Sequence, residues 1–234
     1  DWSSDVCSSD LCIWVPRIPH DMYSYNPNAK IIIIARNPIE RFKSLYKQFI
    51  STGHHNEFVY SKRFNAKIKM MPKNINDAIM QYPAFIEESK YWSIYLEYKK
   101  YFGEKNVRIM LFDELTTNQK TFIEELNDFA NLNINLENPV HSNPGYKRYE
   151  STFFYKLLSR ASIRIQSFLP KILRQKLKMS RTYNLVKMIF GRKISIDEYS
   201  SEAIDYIKSN LKIEVRMTLR YLNKKNNYWG SFWL

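Results

Sequence analysis

Apolar and polar positions divide the chain into short blocks of distinct period. Lys30 to Ala35 (KIIIIA) is a largely apolar, β-branched run, the pattern of a strand buried on both faces, as in a parallel sheet. Asn37-Pro38-Ile39-Glu40 follows. Asn suits a helix N-cap, Pro the first helical position, and Glu40 two positions later can reach back in a capping box. The spacing then predicts a helix through Arg41, Ser44, Tyr46 and Phe49 to about Thr52, ended by Gly53. From about Glu57 to Lys73 the chain is polar, basic and without period, and reads as an excursion over the surface. Ile75 to Met80 reads as a short helix. Ala84 to Phe102 reads as one longer helix, with Ile86, Tyr91, Ile94, Tyr95, Tyr98 and Phe102 at helical spacing and Gly103 as its stop. Val107 to Phe112 (VRIMLF) is a second strand of buried type. Asn118 to Ala130 is an amphipathic helix with Phe122, Leu126 and Phe129 on one side. Strand, helices, strand, helix implies a right-handed crossover, and so an α/β fold with a parallel sheet flanked by helices.

Beyond Pro139 the pattern changes. His141 to Arg148 (HSNPGYKR) reads as a loop. Two or three helices follow, broken at Pro170 and Gly191, and Ser195 to about Asn223 is a final helical region before the aromatic tail Tyr228, Trp229, Phe232 and Trp233. With no repeat and no low-complexity linker, one domain with a mostly helical, basic C-terminal part over 147–234 is the simplest division.

Composition narrows the class. The 234 residues are 44% apolar and 15% aromatic and carry a net charge of +13, enough apolar content for a packed core and against disorder. Two cysteines outside any CxxC spacing exclude a disulfide framework and a zinc ribbon. No eighteen-residue apolar run occurs, so no transmembrane helix is predicted. The positive balance points to an anionic partner. Asp1 to Leu11 (DWSSDVCSSDL) stands apart: it has no period and no signal-peptide layout. It resembles the in-frame translation of a DNA-sequencing adapter, which implies that residues 1–11 are non-native and that the authentic chain starts near Cys12. Without them Cys12 is the sole cysteine and the chain is more basic still.

The chemistry lies in Lys30 to Ile50. Arg36 sits just past the carboxyl end of the predicted strand, where α/β sheets bind ligands, and Ser44 lies about two turns into the capped helix. An arginine fork and a hydroxyl suit one phosphate. The alternative is an Arg36 paired with a carboxylate and a Ser44 that only packs, and spacing alone leaves both open.

This segment resembles the 3′-phosphate-binding motif of the sulfotransferase family, which uses 3′-phosphoadenosine 5′-phosphosulfate (PAPS). There a strand of the type K-x-I-x-x-x-R-(N/D)-P leads into a helix x-E-R-x-x-S-x-Y, and Lys30, Ile32, Arg36, Asn37, Pro38, Glu40, Arg41, Ser44 and Tyr46 match. Tyr25 to Ala29 has the family look as well. Val107 to Leu115 resembles the family's strand and tyrosine-glutamate-aspartate-leucine turn, with Phe112, Asp113, Glu114 and Leu115 in those places. Phe122 to Leu132 resembles its helix ending in phenylalanine-leucine-glycine-leucine, with Asn131 where the glycine would be. The resemblance spans about Val15 to Leu132, fades through the basic helices and returns faintly near Trp233. It implies a P-loop-like α/β fold, an enzyme, PAPS as sulfuryl donor, and Arg36 and Ser44 as holders of its 3′-phosphate. It also makes Lys147 and Arg148, in a loop like the one that closes over the nucleotide, candidate contacts; solvated loop charges are an equal alternative. Asp113 and Glu114 would be structural turn residues.

One family element is missing. None of the five glycines (53, 103, 145, 191 and 230) follows a strand and opens a helix, so no glycine-rich loop for the 5′-phosphosulfate is present. The expectation is that the first β-loop-α unit is absent, no catalytic base can be named, and the chain is inactive by itself. Among other candidates, His54 and His55 beyond the motif helix could serve as bases, although exposed loop histidines fit as well. His20 and His141 are isolated, and no metal-ligand spacing occurs, so no metal is expected. Residues 147–193 hold thirteen Lys or Arg and one acid, Glu150, with an apolar stripe at Phe154, Leu157, Leu158, Ala161, Ile165 and Phe168. A solvated basic face, an anionic membrane surface and guidance of an anionic glycan all fit; no nucleic-acid motif does. The acceptor stays open among carbohydrate, lipid and small molecule. A non-enzymatic basic module that binds anionic membrane or polyanion is the alternative class, ahead of a nucleotide-kinase-like P-loop enzyme. The Lys-, Asn- and Ile-rich composition fits an AT-rich, bacterial genome and a cytoplasmic location.

Overall fold

The computed structural model describes residues 17–52, 59–61, 66–68, 72, 74–82, 84–135, 149–151, 191–193 and 196–234. The adapter-like segment, the loop with Lys147 and Arg148, and the helices expected between Ser151 and Gly191 lie outside the described residues. Contacts group the chain into two units. The first takes Asp1–Phe42, Ile79–Ser142 and Tyr199–Leu234; the second takes Lys43–Ala78 and Asn143–Glu198. The division falls within two helices.

The first unit is α/β. Its sheet is one parallel pair, β1 (Ile31–Ala35) against β4 (Val107–Leu111). The register runs from Ile31 opposite Val107 to Ala35 opposite Leu111. Ile33, Ala35, Val107, Ile109, Met110 and Leu111 are buried, whereas Ile34 is 41% exposed. Full burial on both faces, expected of both strands, therefore holds for β4 more than for β1. Helix α1 (Arg17–Tyr25) precedes β1. It has no counterpart in the sequence reading; Met22 and Tyr23 pack from it onto a later helix. Those side chains lie on α5 (Tyr91–Phe102): Tyr23 meets Phe102 edge-on at 5.5 Å, and Tyr98 Oη donates to Met22 Sδ at 3.8 Å. The Asn26–Ala29 turn that follows closes by Ala29 N–H to Asn26 O at 3.2 Å, with Asn26 Oδ1 accepting from Asn28 N–H.

Helix α2 (Pro38–Thr52) has the bounds its capping signals predict. Asn37 Oδ1 accepts from Ile39 N–H at 3.1 Å, so the cap closes on the second helical residue. The helix expected as continuous from Ala84 to Phe102 is instead two, α4 (Ala84–Glu87) and α5, separated by a turn. The break has a local cause. Ser89 Oγ donates to Phe85 O at 2.9 Å and competes with the helical ladder. Arg41 from α2 then occupies the same carbonyl. Gly103 stops α5 with φ +75°, a conformation other side chains rarely adopt, and its N–H reaches Lys99 O at 3.0 Å. Strand β4 ends one residue earlier than expected, since Phe112 opens α6 (Phe112–Thr117). Helix α7 (Gln119–Ala130) ends on Asn131, which takes the left-handed conformation (φ 54°, ψ 46°) in place of the expected glycine. Leu132 N–H returns to Asn127 O at 3.0 Å, completing a Schellman stop.

The last helix, α8 (Ser201–Tyr221), is capped by Ser200, whose hydroxyl accepts from Ala203 N–H. It buries Ala203, Ile207, Leu211, Val215 and Leu219, one residue per turn, and packs on α5. Each such buried aliphatic contributes roughly 1.5–3 kcal/mol. Glu214 accepts from Ser93 N–H, and Tyr221 lies on Tyr95 at 4.8 Å. Asn223 (φ 55°) ends α8 as Asn131 ends α7.

In the second unit, the stretch expected as a featureless surface excursion contains an antiparallel pair, β2 (Val59–Ser61) with β3 (Ala66–Ile68). Three-residue strands are too short for a period-two signal. A second pair joins β5 (Tyr149–Ser151) to β6 (Gly191–Lys193). Asn74 caps α3 (Ile75–Gln81) through Asn76 N–H at 2.8 Å, and Asn76 Nδ2 donates to Glu198 O. Tyr46 Oη donates to Pro72 O at 3.2 Å.

Burial pushes the Tyr98 hydroxyl up to about 12, whereas an unfolded tyrosine titrates near about 10. The protonated form is thus favoured in the folded state. That contribution to stability is complete below pH ~10 and is lost as pH rises through ~12. Thermal midpoints should fall across this window, and Tyr98→Phe should make the fall shallower; an unchanged alkaline limb would contradict the assignment.

Candidate functional site

The parallel register dictates the site. Ala35 is opposite Leu111, so the next residues to leave the sheet are Arg36 and Phe112. The half-buried Arg36 guanidinium lies 4.9 Å from the centre of the Phe112 ring. Among the described residues no carboxylate forms an ion pair with Arg36.

Arg41, one turn into α2, is the opposite case. Its Nη1 donates to Phe85 O at 3.3 Å and to Ser89 Oγ at 3.1 Å, and its Nη2 pairs with Glu88. Both partners of that pair are less than a fifth exposed. Arg41 therefore joins α2 to the α4–α5 break, next to the edge-on contact of Phe42 with Phe85 at 5.7 Å. Lys30, also in the motif, sits at the far end of β1, about 20 Å from Arg36 by strand rise, over the ring of Phe129.

Around Arg36 the turns are tied together by the C-terminal tail. Asn37 Nδ2 donates to Trp229 O at 3.1 Å, and Trp229 Nε1 donates to Asp113 Oδ2 at 2.9 Å. Asp113 O accepts from the hydroxyls of Thr116 and Thr117. Glu114 pairs with Lys224 at 2.7 Å, and that hydrogen bond raises the Lys224 pKa. Asp113 and Glu114 are thus turn residues bound to the tail. Tyr91 is buried beneath, its ring 6.4 Å from that of Trp229. Burial raises its pKa, while the charges of Arg41 and Arg36 act the other way.

Ser44 is half-buried on α2 and belongs to the second unit, whereas Arg36 belongs to the first. Lys147, Arg148, His54, His55 and His141 lie outside the described residues. His20 is exposed beside Asp21 and edge-on to Tyr101. Among the described residues no group of His, Cys, Asp or Glu is placed to hold a metal, and no helix is long and apolar enough to cross a membrane. Sequence reasoning missed Phe112 as the seat of Arg36 and Trp229 as the tie between turns. The only sign of Trp229 was an aromatic-rich tail after the last helix.

The family described as "Sulfotransferase domain" matches residues 13–178. No curated protein matches the chain. Among solved structures, the crystal structure of a sulfotransferase from Alicyclobacillus acidocaldarius is similar, at 13% identity and a TM-score of 0.48. That match covers 93% of this chain and 64% of the other, so the chain spans just under two thirds of that protein's length.

Replacing Arg41 with alanine removes the charged partner of Glu88 and one of the donors to Phe85 O, and should cost about 2 kcal/mol. Arg36→Ala gives up a ring contact of under about 1 kcal/mol. Urea unfolding should therefore show a clear midpoint loss for Arg41→Ala and little change for Arg36→Ala; equal losses would refute this division.

Proposed function

The chain belongs to the sulfotransferase domain family, and from that premise we propose that it forms the part of a PAPS-dependent sulfotransferase that grips the 3′-phosphate of the donor. The observation that carries the reading is Arg36: a guanidinium at the carboxyl end of a buried strand, seated on Phe112, with no carboxylate partner among the described residues. Its N–H fork can donate to two phosphate oxygens. Ser44 supplies a hydroxyl donor to the same phosphate, and Lys147 and Arg148 close over the nucleotide. In this reading Arg36 and Ser44 bind and orient; they make no bond to sulfur.

PAPS, when bound, supplies the sulfuryl group. Transfer forms a bond from sulfur to the acceptor oxygen or nitrogen and breaks the bond from sulfur to the bridging 5′-phosphate oxygen. The acceptor's proton leaves to a base, and adenosine 3′,5′-bisphosphate departs. As in phosphoryl transfer, the protein's part is positioning and charge stabilisation. No base is assigned in this chain. The acceptor class is a hydroxyl or amine of a carbohydrate, lipid or small molecule, in a cytoplasmic setting, with the basic 147–193 stretch available to an anionic acceptor or membrane surface. Family membership does not favour a purely non-enzymatic basic module.

Calorimetry with adenosine 3′,5′-bisphosphate tests the site. Arg36→Ala should weaken binding by roughly 10- to 100-fold, the worth of charge-assisted hydrogen bonds; unchanged affinity would overturn the reading. Because the sequence holds no glycine-rich loop between strand and helix, the 234-residue chain alone should transfer no sulfuryl group from PAPS, and measurable transfer in a radiolabel assay would refute that.

A further inference from the structure

We propose that Trp229 is a positioning residue for Arg36: through it the C-terminal tail clamps the two turns that leave the parallel pair and fixes the guanidinium between them. The proposal rests on the reading of Arg36 as a phosphate ligand. Two independent contacts define the arginine's place. Its backbone continues into Asn37, and its guanidinium lies on Phe112. Trp229 holds both supports. Its carbonyl accepts from Asn37 Nδ2, and its indole N–H donates to Asp113, the residue after Phe112.

Simple coverage of the core would need only the ring, which is 6% exposed. Hydrogen bonds at 3.1 and 2.9 Å from opposite ends of one residue are directional. They set the separation of the two turns as well as covering them. Tyr91 lies beneath, buried, with its ring 6.4 Å from the indole. Gly230, at φ +98°, turns the chain immediately behind Trp229, and its N–H bonds Asn227 O at 2.8 Å. The Lys224–Glu114 pair holds the same tail to the same turn. An arginine on the face of a ring has several rotamers of similar energy, and ordering it in advance saves rotamer entropy when a phosphate binds.

The test uses the full chain and two probes, adenosine 3′,5′-bisphosphate and adenosine 5′-monophosphate, which lacks the 3′-phosphate. Trp229→Phe keeps the ring and the carbonyl but removes the indole N–H. Asp113→Leu removes the acceptor instead and should behave alike. Calorimetry should show the preference for the bisphosphate reduced at least threefold in either variant, with the monophosphate affinity unchanged. Hydrogen exchange of the free proteins should quicken at residues 36–41 and 112–117 and stay unchanged within the strands. Equal weakening of both nucleotides, or an unmoved preference beside an intact Arg36→Ala effect, overturns the positioning role alone. A preference that survives Arg36→Ala, or a wild type without one, overturns the phosphate reading and the positioning role with it.

Discussion

Two parallel strands leave a sheet on the same side, and everything at this site follows from that constraint. The pairing of Ala35 with Leu111 makes Arg36 and Phe112 neighbours although they are distant in sequence. Had the strands been antiparallel, the start of one would face the end of the other, and the arginine would have met the Gly103–Asn106 turn instead. The ridge of Ile31, Ile33, Val107, Ile109 and Met110 that drives the pairing carries no chemistry. It decides where the chemistry stands.

Two arginines close in sequence are used in opposite ways. Arg41 is surrounded: a carbonyl, a hydroxyl and a carboxylate take its donors. Removing its charge from water is tolerable only because each donor finds a partner. Arg36 meets an aromatic face, which attracts the cation while leaving the N–H fork available for a ligand. The motif that includes both residues is therefore part scaffold and, on the proposed reading, part site. Lys30, over Phe129 at the other strand end, is scaffold as well.

Much of the first unit was legible because its signals are local. The Asn37-Pro38 cap, the four isoleucines and the aromatic periodicity of α5 each fix an element without help from elsewhere. The misses share a cause. The break after α4 depends on Arg41 reaching in from another helix. Helix α1 is short, nine residues, and its contacts on α5 come from Met22 and Tyr23. At the site, Arg36 could be picked out by its place after a strand. Its support by Phe112 and Trp229 could not, because only the tertiary fold brings those residues to it.

The bond from Asn37 to Trp229 spans 192 positions. On the ribosome, β1, α2 and α5 emerge long before Trp229 exists. Throughout that interval Asn37 Nδ2 and the Asp113 carboxylate lack their Trp229 partner. Closure of the strand ends is consequently a contact of high order that forms after the local ones. On the proposed reading, a growing polypeptide therefore carries Arg36 unclamped until Trp229 clears the exit tunnel.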